Sequence, residues 1–93
     1  MAYEVAPSGA PRLVLHLLIT ADPIGDQRWW IAQCLEYDIA AQANSLREVE
    51  FEFARIVAGR VASARELGIE DPFEGLPPAP DYFRRIYEGE LYI

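Results

Sequence analysis

Apolar side chains crowd residues 12–20 (RLVLHLLIT), a run without Gly or Pro that reads as a β-strand. Residues 1–11, with Pro7, Gly9 and Pro11, read as a flexible lead-in, so the folded domain is expected over residues 12–93. Turn formers in Asp22-Pro23-Ile24-Gly25-Asp26 precede a second β-like run, residues 28–35, and the two runs are predicted to pair as a hairpin with a loop of several residues. After the polar break Glu36-Tyr37-Asp38, residues 39–42 are predicted to return as a third strand.

The pattern then changes period. Ser45-Leu46-Arg47-Glu48 matches a capping box, in which the Ser45 hydroxyl accepts the Glu48 amide hydrogen and opens a helix. Leu46, Val49, Phe53, Ile56, Val57, Val61, Ala64 and Leu67 recur at three- and four-residue spacing and form one stripe, expected to cover the sheet, with Gly68 as the helix stop. A second, narrower apolar strip carries Phe51, Ala54, Ala58 and Ala62. Gly59 in the helix interior costs about 1 kcal/mol relative to Ala, and either marks the close approach of another backbone or is a tolerated weakness. Arg60 falls on the main stripe and is expected to snorkel past the sheet edge.

Beyond Gly68, Asp71-Pro72-Phe73-Glu74-Gly75 reads as a turn with one anchoring ring, and Leu76-Pro77-Pro78-Ala79-Pro80 as an extended crossover. Residues 81–88 read as a short second helix with Phe83, Ile86 and Tyr87 on one side, stopped by Gly89. Leu91-Tyr92-Ile93 is too apolar to dangle freely. The pattern as a whole predicts one α+β domain, a three-stranded antiparallel sheet packed by one long helix and followed by an extended segment and a short helix.

Composition adjusts this picture in two ways. The 93 residues carry 15 acidic against eight basic side chains, a net charge of −7, yet 52% are hydrophobic, which is a folded acidic protein and not an acidic disordered chain. That charge opposes phosphate contacts and anionic membrane surfaces, so neither direct DNA binding nor membrane association is expected, and basic proteins are the natural partners. The one cysteine, Cys34, excludes an internal disulfide and multi-cysteine metal sites, making a reducing, cytoplasmic setting the expectation. Residues 13–19 fall far short of the roughly 20 that a membrane helix requires and lack the flanks of a signal peptide.

Candidate chemistry is sparse. The one histidine, His16, sits between Leu15 and Leu17 in a predicted strand and reads as structural, and with Cys34 it forms at most a thiol and base pair without an evident orienting group. Glu36 and Asp38 read as a solvated turn, since an oxygen-ligated cation draws more ligands than a strand end offers. No phosphate-binding glycine loop or zinc-protease motif occurs, and no catalytic, cofactor or metal residue is assigned. Trp29 and Trp30 are adjacent on a strand, so they point to opposite faces and one of them is left as core for a second layer or as an interface anchor.

The run Trp29-Trp30-Ile31-Ala32-Gln33-Cys34-Leu35-Glu36-Tyr37-Asp38-Ile39-Ala40-Ala41-Gln42, with Ser45-Leu46-Arg47-Glu48 and Leu76-Pro77-Pro78-Ala79-Pro80, resembles the HicB-like antitoxin superfamily, in particular its small stand-alone members without a DNA-binding domain. The resemblance implies a partial ribonuclease H-like fold, with a three-stranded sheet, a helix on one face and a further short strand near the proline segment. It also implies binding of a small basic HicA-type ribonuclease toxin. On that basis the expectation is a non-enzymatic, toxin-neutralising module that self-associates, using Trp29, Trp30, Glu36, Tyr37, Asp38 and Phe51 toward its partners. The alternative is a stand-alone homo-oligomeric domain that binds a small ligand near Cys34 and His16.

Overall fold

Strands β1 (Ala2–Val5), β2 (Leu13–Ile24), β3 (Gln27–Cys34) and β4 (Ala40–Ala43) are followed by helices α1 (Leu46–Leu67) and α2 (Asp81–Tyr87). The structure is a computed structural model that describes residues 1–5, 13–24 and 27–90. The strands form one antiparallel sheet in the order β1-β2-β3-β4, packed against α1, so the class is α+β.

The sheet has four strands where three were expected. The additional one, β1, comes from the stretch read as lead-in and pairs Ala2 with His16 and Val5 with Leu13. Its alternation holds the reason: Tyr3 and Val5 point to the core side, and the Tyr3 ring meets Phe53 of α1 edge-on at 5.4 Å. Residues 6–11 lie outside the described residues. The further strand implied near the proline segment is not formed, since residues 76–80 carry no strand. They do dock by backbone, with Asp38 N–H donating to the Pro77 carbonyl at 2.8 Å and Ala79 N–H to the Leu35 carbonyl at 3.1 Å.

The β2–β3 hairpin is also tighter than expected. Pairing continues through Asp22↔Trp29 and Pro23↔Arg28 to Ile24↔Gln27, so strand conformation reaches into the predicted loop and leaves Gly25 and Asp26, outside the described residues, between the strands. Among the described residues, β2 beyond Leu17 has β3 as its one strand neighbour, and such an edge position accommodates a proline that cannot donate to a ladder.

Helix α1 begins as the capping box requires, with Ser45 extended and its hydroxyl accepting the Glu48 N–H at 3.1 Å. It ends at Gly68, whose φ of 71° is left-handed, with Gly68 N–H donating to the Arg65 carbonyl and Ile69 N–H to the Ala64 carbonyl, the paired bonds of a Schellman stop. Val49, Phe53, Val57 and Ala64 are buried on the sheet and Val61 packs against the core from its edge. Leu46, Ile56 and Leu67, expected on that stripe, are instead exposed, Leu67 by 72%; Leu46 and Leu67 are the two terminal residues of the helix, and Ile56 lines the cleft toward the turn that follows it. The helix lies over β3 and β4, where the small side chains of Ala32, Ala41 and Ala43 allow close approach. Leu15 and Leu17 fill the space under its other side.

Arg60 is half-buried, and its Nε donates to the Pro72 carbonyl at 3.0 Å, which ties the helix to the turn after it. That turn delivers Phe73, 1% exposed, into the core. Past the proline segment, α2 crosses to the opposite face of the sheet, where it packs on β2.

Each fully buried aliphatic or aromatic side chain contributes roughly 1.5–3 kcal/mol over its exposed state, which separates the two phenylalanines of α1. Phe53→Ala is expected to destabilise by about 3–5 kcal/mol, as removal of a buried ring leaves a cavity. Phe51→Ala, at a ring 64% exposed, is expected to stay within about 0.5 kcal/mol. Urea denaturation of the two variants measures both, and equal losses would mean that the assignment of core and surface faces on α1 is wrong.

Candidate functional site

The end of the sheet where β3 breaks toward β4 gathers the titratable groups. The chain leaves β3 at Cys34, bends through residues 35–37 and re-enters the sheet at Ala40, while β2 runs alongside with His16. Within the bend, Glu36 turns back toward β2. Its Oε1 accepts the His16 backbone N–H at 2.7 Å, its Oε2 lies 2.7 Å from His16 Nδ1, and the Cys34 thiol donates to Oε1 at 3.8 Å. Leu35 N–H donates to the His16 carbonyl at 3.0 Å and closes the same junction through the backbone.

This arrangement supplies the orienting group for His16 that the sequence did not reveal. Glu36, two residues past the last strand residue, reads as a turn acid, and only the return of the bend to β2 makes it a partner of the imidazole. The carboxylate stands between the thiol and the ring, taking one with each oxygen. A thiol activated by a base requires the imidazole at the sulfur, and here both converge on Glu36 instead.

Electrostatics point the same way. Partial burial pushes the Glu36 carboxyl up, but hydrogen bonds from the His16 backbone and side chain, its own backbone and the attraction of the imidazole outweigh this and hold it below the usual range. Burial pushes the Cys34 thiol up; nearby backbone N–H groups of Tyr37 and Glu36 oppose the rise, whereas the Glu36 charge and hydrogen bond add to it. Cys34 is fully buried, and the upward push on its thiol disfavours the thiolate. Tyr37 is likewise raised, by burial first and then by Asp71, Cys34 and Glu36.

The residues assigned to partner binding do not form one patch. Trp30 joins the core beneath α1, and Trp29, opposite Asp22, lies half-buried on the other sheet face. That face is partly roofed by α2, where Tyr82, Phe83 and Ile86 enclose a crevice of about 230 Å³ with Leu18, Thr20 and Ile31 of the sheet. Tyr37 stacks on Phe73 at 4.6 Å with an interplanar angle of 16°, and so packs inward. Glu36 is committed to His16, while Asp38 is exposed and accepts from the buried Gln33 amide at 3.1 Å. The two acids therefore diverge. Phe51 stands exposed on the outer side of α1.

Among the described residues no group of three His, Cys, Asp or Glu side chains stands together so as to hold a metal ion, and no helix is long and apolar enough to cross a membrane. No family model, curated protein or solved structure matches this chain.

The lowered Glu36 carboxyl gives a pH signature. A group whose folded value lies below its unfolded value, near 4.5, adds stability above that value and loses it as pH falls through the folded one. Glu36→Gln is therefore expected to be less stable than the wild type at neutral pH and to converge toward it on acidification. Urea midpoints between about pH 6 and pH 3 test this, and a stability difference that is constant across that range would show that the carboxylate charge is not what holds the junction.

Proposed function

We propose that this chain is a non-enzymatic interaction module of HicB-like type, which neutralises a small basic ribonuclease toxin and self-associates. The observation that carries the reading is a net charge of −7 on a 93-residue α+β domain whose one thiol is buried and whose one imidazole is occupied by a carboxylate. Chemistry of its own is poorly served by such a cluster, whereas complementary charge speeds and orients the association of an acidic protein with a basic one. Self-association is supported by the exposed Phe51 with Ala58 and Ala62 on the outer face of α1 and by the short edge strand β4.

The geometry of the His16–Glu36 pair favours one second reading. An imidazole fixed through Nδ1 and still partly open to solvent has an ordered ring to present to a ligand, in keeping with a homo-oligomeric domain that binds a small molecule near Cys34 and His16.

Capture of the tagged full chain from its native cell at low salt, followed by assay of what co-purifies, separates the two. The toxin-neutralising reading expects a small basic protein in stoichiometric amount whose ribonuclease activity disappears in the complex and returns when salt dissociates it. Recovery of the chain alone as a discrete oligomer would overturn that reading in favour of the second, which in turn expects ligand binding that His16→Gln abolishes. Native Cys34 is expected to resist alkylation until urea unfolds the chain, and rapid labelling of the folded protein would contradict the burial of the thiol on which the non-enzymatic reading rests.

A further inference from the structure

We infer that the cleft between the C-terminal half of α1 and the turn that follows it is a docking surface for a basic protein segment carrying an apolar anchor. The cleft has a volume of about 470 Å³. Its apolar part consists of Ile56, Leu67 and Ile69, which are 37%, 72% and 38% exposed, the last brought back against the helix by the Schellman stop at Gly68. Large apolar side chains gathered at one rim, where isolated ones would need no explanation, mark an interaction surface.

Charge decides the occupant. Glu66, Glu70, Asp71 and Glu74 fall within nine residues of chain, Asp71 and Glu74 lining the cleft and exposed Glu66 and Glu70 flanking its apolar residues in sequence. Against them stand Arg60, whose Nε is already spent on the Pro72 carbonyl, and Arg65 in the last turn of α1, which lines the hollow on the other side of the helix and not the cleft. The carbonyl end of α1 adds its own negative pole at the same place. A second copy of a chain with a net charge of −7 is repelled by such a rim, and a segment with Lys or Arg beside a Leu-sized side chain is drawn to it.

Gly59 completes the surface. A Cβ built there meets nothing within 4 Å, so no neighbouring backbone requires the glycine, which leaves this part of the cleft wall without a side chain.

The proposal shares with the toxin-neutralising reading only the sign of the partner's charge, and it is tested without a toxin. The isotope-labelled full chain is titrated with a short blocked peptide of alternating lysine and leucine at low ionic strength, with a glutamate and leucine peptide as control. Expected are amide shifts at residues 59–74 with the lysine peptide and none with the glutamate peptide. Glu70→Lys with Glu74→Lys is expected to weaken binding about tenfold, as is Leu67→Gln, whereas Glu50→Lys with Glu88→Lys, the same change in net charge elsewhere, alters it by less than about threefold. All five positions are exposed, so the variants keep the fold. Shifts centred on other residues, equal binding of both peptides, or equal loss in the two charge-reversed pairs overturns the cleft as the docking surface. A captured toxin whose affinity ignores Glu70 and Glu74 would do the same and leave the toxin reading standing, while peptide binding here with no toxin found would have the opposite consequence.

Discussion

Burial of Val49, Phe53 and Val57 against one face of the sheet is the constraint from which the remaining architecture follows. These side chains are 0–3% exposed, and their removal from water is the main favourable contribution that a domain of this size has at its disposal. The sheet face that receives them is graded in size, with alanines on β3 and β4 under the helix axis and leucines on β2 beside it. That gradation fixes where α1 sits and leaves space at the β1 side, which Tyr3 fills by meeting Phe53 edge-on. The fourth strand is thus recruited by the same ring that anchors the helix.

With one face committed to α1, everything else has to be arranged around it. The chain emerging from Gly68 must return across the end of the sheet, and it is pinned on the way by Arg60 to Pro72, by Phe73 stacked on Tyr37, and by the backbone bonds that Asp38 N–H donates to Pro77 and Ala79 N–H donates to Leu35. Only then does α2 reach the other face. The polar junction of Glu36 with His16 lies at this crossing, and it holds the bend between β3 and β4 to the neighbouring strand, the position from which the bend can receive the prolines. A carboxylate accepting from a backbone N–H and an imidazole in a half-buried site is a stronger tie than a solvated surface pair, because the donors replace the water that burial removes.

The same geometry bears on function by deciding which groups are free. Cys34 and His16, adjacent in space, are both turned to one acceptor. Trp30 and Tyr37 are drawn into packing. What remains on the outside is an acidic surface interrupted by apolar side chains that include Phe51 on one side of α1, Leu67 with Ile69 at its end, Val14 on β2 and Tyr82 on α2.

The sequence by itself determined the local elements. The capping box at Ser45, the stop at Gly68, the long apolar run of β2 and the three- and four-residue spacing on α1 are encoded within a few residues, and local sterics and hydrogen bonding suffice to express them. The class of α+β domain follows from their order. Three things were decided only in the tertiary structure. Tyr3 and Val5 alternate over too short a stretch to announce a strand, and β1 forms because β2 and Phe53 offer it a ladder and a ring to pack on. Glu36 looks like any turn acid until the bend returns it to His16, since side-chain pairing across strands depends on register and not on spacing. Leu67 and Ile56 have the period of core residues, yet both stay exposed, and periodicity describes a face of the helix without describing the extent of what that face will meet.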